Sequence, residues 1–268
     1  MARHERQIAV ITGGGGVLCS EIARGLAQLG VTPVLLDIDL AKADETLAQI
    51  RSAGGDGLAI QASVLDRSDL ESAAEKVRGT FGRVDVLING AGGNHPRATT
   101  SDELSFFDLP EESIRFVFDL NFVGTLLPSQ VFGRMMASAG EGVILNIASM
   151  NAFRPLTRIP AYSAAKAAIA NFTQWLAVHM SQNVSTGIRV NAIAPGFFLT
   201  DQNRFLLTTE SGELTDRGNQ IIGHTPMARF GAPEDLIGTV QWLISPASRF
   251  VHGIVVPIDG GFSAYSGV

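Results

Sequence analysis

Apolar runs and helical repeats alternate along the chain. Ile8-Ala9-Val10-Ile11 is short and uninterrupted by polar residues, and a glycine cluster follows it. Ile22, Leu26 and Leu29 then recur at helical spacing. Val34-Leu35-Leu36 is a second apolar run that stops at Asp37, and Leu40 to Ser52 reads as a helix ended by Gly54-Gly55. Leu70, Ala73, Ala74 and Val77 mark a third helix. Five more strands are predicted at 57–61, 84–88, 143–148, 188–192 and 254–258. Strands without polar alternation belong to parallel sheets covered on both faces, and right-handed crossovers make such a sheet doubly wound. The predicted fold is therefore α/β, a Rossmann-type, doubly wound parallel sheet of seven strands in one domain over 1–268. Two segments are too long for ordinary connections, 92–110 and 197–226. Both leave the carboxyl ends of strands, where open α/β sheets place ligands. The first is expected to form a pocket wall and the second a substrate lid.

Composition narrows the class. Of 268 residues, 46% are hydrophobic and 17% charged, enough for a large core and unlike a disordered chain. A net charge of −6 argues against a nucleic-acid face or a polybasic membrane patch. No apolar run approaches the roughly 18 residues of a membrane span, and residues 1–7 carry no secretory apolar region. The single cysteine, Cys19, excludes an internal disulfide and a multi-cysteine metal site, so no metal is expected. It fits a reducing cytoplasm.

Candidate chemistry lies at the strand ends. Thr12-Gly13-Gly14-Gly15-Gly16 joins the first strand to the first helix. Such a turn lets backbone N–H groups and the helix N-terminus approach a pyrophosphate. Asp37 ends the second strand, where a carboxylate can accept the ribose hydroxyls of NAD and repel the 2′-phosphate of NADP. No arginine or lysine occurs in the glycine turn or beside Asp37 in the sequence. Tyr162 and Lys166 are spaced i, i+4 on a helix predicted over 161–180, so both share one face. An ammonium there is expected to lower the phenol pKa and make a usable proton donor and acceptor. Ser149, 13 residues upstream at the end of the fifth strand, is expected to hold the substrate oxygen beside the phenol.

These residues together resemble the short-chain dehydrogenase/reductase family, over roughly 7–261. Asn89-Gly90-Ala91-Gly92, Asn121, Pro195-Gly196-Phe197-Phe198-Leu199-Thr200 and Asp259-Gly260-Gly261 carry the likeness further. The resemblance implies catalysis by Asn121, Ser149, Tyr162 and Lys166, with Asn121 in a water-mediated proton relay. It implies an NAD site of Gly13, Gly16, Val17, Leu18, Asp37, Ser63, Val64, Asn89, Ala91, Tyr162, Lys166, Pro195, Phe198 and Thr200. It also implies a homotetramer built through helices near 111–138 and 161–180. The chain departs from the pattern at Val17 and Cys19, which replace two glycines of the turn, at Gly90, which replaces an asparagine, and at Ser63, which replaces an aspartate.

The polar segment Asn94 to Thr100, then Asn151 and Arg154, and Gln202, Asn203 and Arg204 in the lid suit a polyhydroxylated anion. Asn94, Asn151, Arg154 and Arg204 are the expected substrate contacts. Gly93 to Thr100, Gly196 to Arg204 and the ending Gly-Gly-Phe-Ser-Ala-Tyr-Ser-Gly-Val resemble the fructuronate reductase, or D-mannonate oxidoreductase, branch. A gluconate 5-dehydrogenase or another polyol or keto-acid enzyme of the family is the alternative. A catalytically idle NAD-binding regulator is the remote one.

Overall fold

The computed structural model describes residues 7–200 and 204–267. Strands β1 (Ile8–Thr12), β2 (Thr32–Asp37), β3 (Leu58–Gln61), β4 (Val86–Asn89), β5 (Glu141–Ile147), β6 (Gly187–Pro195) and β7 (Val255–Ile258) form one sheet in the order β3-β2-β1-β4-β5-β6-β7. Every pairing is parallel. The chain reverses its direction of travel between β1 and β4, which opens a crevice at the carboxyl ends of these strands. The principal helices are α1 (Val17–Gln28), α2 (Leu40–Ser52), α3 (Arg67–Phe81), α4 (Glu111–Phe118), α5 (Gly124–Ala139) and α6 (Pro160–Asn183). Beyond β6 come α7 (Arg204–Leu207), α8 (Asp216–Gly223) and α9 (Ile237–Ile244). All seven strands and the doubly wound α/β architecture agree with the sequence expectation. The segment 197–226 has structure of its own, since α7 and α8 are joined through a Thr208–Leu214 bridge.

The strand sequences explain the two-faced core. Successive side chains alternate faces, so Ala9 and Ile11 of β1 pack with Ile22, Leu26 and Leu243, while Ile8 and Val10 pack with Leu70, Val77 and Phe132. Both faces need apolar partners, which removes the polar alternation a one-sided sheet shows. Helices α2 and α3 begin where Asp39 and Asp66 accept the first free N–H groups, at Ala41 and Lys42 and at Ser68 and Asp69. The N-terminus of α1 has Gly16 as its cap and no side-chain acceptor.

The predicted helix over 111–138 is not uniform. Between α4 and α5 lies a π turn, Asp119–Val123. One extra residue per turn re-aims the side chains there, and Asn121 becomes fully buried. A ladder of buried polar groups runs from this turn to the sheet. Thr125 Oγ1 donates to the Asn121 carbonyl (2.8 Å), Ser129 Oγ to the Thr125 carbonyl (2.7 Å), and Asn89 Nδ2 to Ser129 Oγ (2.9 Å).

Phe132 is completely buried between α5 and the sheet, whereas Phe250 is fully exposed. Phe132→Ala is expected to lower unfolding stability by about 3–5 kcal/mol. Phe250→Ala should fall within about 0.5 kcal/mol of the parent. Denaturant titration of both variants checks the contrast.

Candidate active site

A cleft of about 620 Å³ opens at the crevice between β1 and β4. The glycine turn and first turn of α1 form one wall, with Gly13, Gly16, Val17 and Leu18. Asp37, Ser63 and Val64 line one end, while Ser149, Tyr162, Lys166, Pro195, Phe198 and Thr200 line the other. Ala91 lies between them. The N–H groups opening α1 lack the side-chain acceptor that α2 and α3 have, and they border the cleft. This donor set suits an anionic group such as a pyrophosphate. At the other end, Asp37 takes N–H bonds from Gly15 (2.9 Å) and Asp39 (3.0 Å), which fixes a carboxylate at the tip of β2. The residues present therefore fit a dinucleotide.

Tyr162 and Lys166 stand one turn apart on α6, with the Lys166 ammonium 5.4 Å from the centroid of the Tyr162 ring. Lys166 is buried and donates to the carbonyl of Ile147 at the end of β5 (2.8 Å). Burial pushes its pKa down to about 8. The sequence expectation of an acidified phenol is reversed in the free protein. Burial raises the Tyr162 pKa above its ordinary value, and the neighbouring Ser149 hydroxyl opposes that rise. The physical reason is desolvation, which disfavours whichever form is charged and so acts on both groups at once.

Asn121 meets this group through its side chain. Its Nδ2 donates to the carbonyls of Gly93 and Val117 (both 2.7 Å), and its Oδ1 accepts from the Gly93 N–H (3.3 Å). A Cβ on Gly92 would sit 2.6 Å from Asn121 Oδ1 and 3.4 Å from Lys166 Nζ. Only glycine lets α6, the π turn and the strand end converge there.

Several expectations change. Asn89, expected at the cofactor, does not line the cleft. It is buried, and its Nδ2 donates to Ser129 and Asn146 (both 2.9 Å), so it ties β4 to β5 and α5. Asn151 is buried and linked to Ser149, Leu156 and Ser163 rather than facing the cleft. Arg154 lies outside the cleft and donates to the Ser263 carbonyl (3.3 Å). Asn94 is exposed and bonded to Thr99 (2.7 Å). Arg204 opens α7, where its N–H donates to the carbonyl of the cleft residue Thr200 (2.9 Å). Gln202 and Asn203 lie outside the described residues.

The cleft also contains residues the sequence reading missed: Cys19, Ile38, Lys42, Phe116 and Leu120. Lys42 is far enough along α2 to escape notice as a neighbour of Asp37, and its ammonium pairs with Asp39 (3.6 Å). Cys19 explains two departures from the family pattern at once. A Cβ on residue 90 would lie 2.1 Å from its Sγ. The thiol fills the volume that Gly90 leaves, so the bulky residue on α1 and the glycine after β4 form a matched pair. Burial pushes the Cys19 thiol pKa up to about 12, which keeps it protonated and unreactive.

Two measurements test these packings. Gly90→Ala should cost about 1–3 kcal/mol through overpacking, and Cys19→Ala in the same chain should recover most of that loss. A double-mutant cycle by denaturation reads the coupling. Lys166 also makes stability pH-dependent. Its folded pKa of about 8 lies below its ordinary 10.5, so between these values the unfolded chain binds more protons. Its contribution therefore penalises the fold below about pH 8 and is relieved as pH rises towards 10. The stability difference between wild type and Lys166→Met should shift in favour of wild type over that window.

The profile of the family described as short chain dehydrogenase matches residues 7–211. An uncharacterized oxidoreductase, UxuB, of Bacillus subtilis (strain 168) is 53% identical over 269 residues, covering 97% of this chain and 96% of its own. A Haemophilus influenza protein, provisionally named a D-mannonate oxidoreductase and crystallised with bound NAD, is 49% identical. Its structure superposes with a TM-score of 0.93 over 99% of this chain and 98% of its own. The 2-dehydro-3-deoxy-D-gluconate 5-dehydrogenase of Dickeya dadantii (strain 3937) is 32% identical over 259 residues, with 96% of each chain covered. With that matched profile and relatives at this identity over nearly its whole length, the chain belongs to the short-chain dehydrogenase family.

Proposed function

We propose that this protein is an NAD(H)-dependent oxidoreductase that interconverts a sugar-acid carbonyl and its alcohol, with D-fructuronate and D-mannonate as the substrate pair. The observation that carries the reading is that Ser149, Tyr162 and Lys166 border the same cleft as the uncapped start of α1 and the fixed carboxylate of Asp37. Gly13, Gly16, Val17, Leu18, Ser63, Val64, Ala91, Pro195, Phe198 and Thr200 would complete the cofactor site. When bound, NAD(H) supplies or accepts the hydride.

The chain's own residues handle the proton and the orientation. Tyr162 gives its hydroxyl proton to the developing alkoxide in reduction and takes it back in oxidation. Ser149 donates a second hydrogen bond to the same oxygen. Lys166 holds a positive charge behind the phenol at the cleft wall, where its bond to the Ile147 carbonyl fixes the ammonium's position. Asn121 fixes the Gly92-Gly93 segment beside Lys166 and belongs, on this reading, to the path that resupplies the proton.

A carboxylated substrate is supported by Arg204, whose backbone N–H bonds to the carbonyl of the cleft residue Thr200. A guanidinium there can hold a carboxylate by two parallel hydrogen bonds. The NAD in the Haemophilus influenza structure and the carboxylate of Asp37 both favour NAD over NADP. The Dickeya dadantii relative keeps a second sugar-acid reading open, that of a keto-gluconate enzyme. A homotetramer is supported by the exposed Trp175 and Val178 on α6. Among the described residues no helix is long and apolar enough to cross a membrane, and we place the enzyme in the cytoplasm.

NADH oxidation with D-fructuronate and with 5-ketogluconate separates the two readings. D-Fructuronate should give the highest kcat/KM, with NADH preferred to NADPH. Faster turnover of 5-ketogluconate would replace the substrate assignment. Tyr162→Phe should lower kcat by about a thousandfold or more while NADH binding, read by fluorescence, stays near the parent value. Equal loss of both would assign the tyrosine to structure alone.

A further inference from the structure

We infer that Asn151 is a positioning residue that sets the direction of the Ser149 hydroxyl, holding it as a hydrogen-bond donor towards the reacting oxygen. The inference rests on the proposed carbonyl chemistry and adds a residue to it. Ser149 Oγ receives two N–H groups from Asn151, the backbone N–H and the side-chain Nδ2, both at 3.2 Å. A hydroxyl has two acceptor lone pairs and one proton. With both lone pairs engaged, the proton is what remains, and Ser149 borders the cleft beside Tyr162.

The amide's own orientation is fixed by groups with one possible role. The backbone N–H of Leu156 can only donate, and it points at one terminal atom of the Asn151 side chain at 3.0 Å. That atom must be the oxygen, so the other is the NH₂ that faces Ser149. Ser163 Oγ, next to Tyr162 on α6, donates to the same oxygen at 3.1 Å. Asn151 is buried with Ser149 and Ser163, although Asn151, Leu156 and Ser163 also line a second cavity of about 710 Å³ that Ser149 does not border, so the bonds are held by geometry rather than by exclusion of water. The order of donation runs from the Leu156 backbone to Asn151, from Asn151 to Ser149, and from Ser149 outward. A carbonyl or alkoxide oxygen needs donors on both sides, and Tyr162 supplies only one. A serine free to turn would accept from Tyr162 as readily as donate to substrate.

Asn151→Asp tests this with little change of shape. The oxygen that receives Leu156 and Ser163 is kept, while the NH₂ becomes an acceptor that draws the Ser149 proton away from the cleft. With NADH and D-fructuronate, kcat should fall by about a hundredfold, the lower end of the cost of losing a donor to a developing oxyanion. KM for NADH should stay unchanged. Activity should recover as pH falls and the new carboxyl is protonated, because a carboxyl O–H donates again. The same substitution in a Ser149→Ala background separates direction-setting from charge alone. If Asn151 acts through the hydroxyl, the aspartate adds little further loss there. An equal fold-loss in both backgrounds overturns the inference, as does a wild-type pH profile in Asn151→Asp.

Asn151→Ala keeps the question decidable if the aspartate variant does not fold. Its kcat should drop by about tenfold, the scale of one hydrogen bond to a reacting group, and wild-type kcat in a folded Asn151→Ala also overturns the inference. A readout without substrate distinguishes failure here from failure of the proposed function. The chain has two tyrosines, so in a Tyr265→Phe background ultraviolet titration reads Tyr162 alone. Asn151→Ala should move that titration to higher pH when Ser149 is present and leave it in place when Ser149 is alanine. The same shift in both backgrounds overturns the inference even if no sugar acid is turned over.

Discussion

The buried ammonium of Lys166 and its bond to the Ile147 carbonyl organise the site. Taking a charge out of water costs several kcal/mol even after relaxation. The structure offsets part of that cost with one backbone acceptor at the end of β5 and the face of the Tyr162 ring. The acceptor belongs to the sheet and the ammonium to α6, so the bond registers α6 against the strand that leads to Ser149. The same desolvation shifts both the phenol and the amine towards their neutral forms, while an amine with a pKa of about 8 stays mainly charged near neutral pH. A low-dielectric cleft makes each later charge felt strongly. An alkoxide forming at Ser149 and Tyr162 would meet donors whose positions are already set.

Rigidity at that point is distributed through polar groups. The π turn turns Asn121 inward, and the hydrogen bonds through Thr125 and Ser129 to Asn89 connect it to β4. Asn146 extends the network through Thr173 of α6, whose hydroxyl donates to the Ile169 carbonyl. Each of these side chains is buried, and each would be expensive alone. Together they form a scaffold in which β4, β5, α5 and α6 keep one relative register. That makes Asn89 a support of the cleft wall, although its side chain does not line the cleft.

What could be read from the sequence follows the range of the physics involved. Helix α2 was legible to its ends because Asp39 and Gly54 act locally. The seven strands were legible because burial on both faces strips polar residues from short runs. Tyr162 and Lys166 needed only helical spacing. The π turn was invisible, since one extra residue in a long apolar helix leaves the pattern nearly intact. Lys42 and Cys19 escaped because their relations to the glycine turn and to Gly90 are made in space. Two apparent departures from a motif, at residues 19 and 90, prove to be one steric exchange. The substrate rim was least legible. Polar side chains in a loop can serve a ligand or the fold, and Asn94 bonds within its own loop while Arg154 reaches the Ser263 carbonyl near the C-terminal end.

Direction of donation is a further quantity that spacing does not encode. The sequence places a serine, a tyrosine and a lysine together, but hydroxyl groups can point either way. Backbone N–H groups cannot, and a folded chain can use them as fixed references. Around Ser149 such references lie at the Asn151 and Leu156 amides, in a short turn held against α6. The turn seemed from the sequence to belong to the substrate. On the inference drawn above, its geometry would set which atom of the serine a substrate meets. The same hydroxyl that receives two donors within the protein is therefore best suited to an oxygen that gains negative charge, and poorly suited to activating a nucleophile. That bias matches hydride chemistry at a carbonyl and disfavours acyl transfer through Ser149.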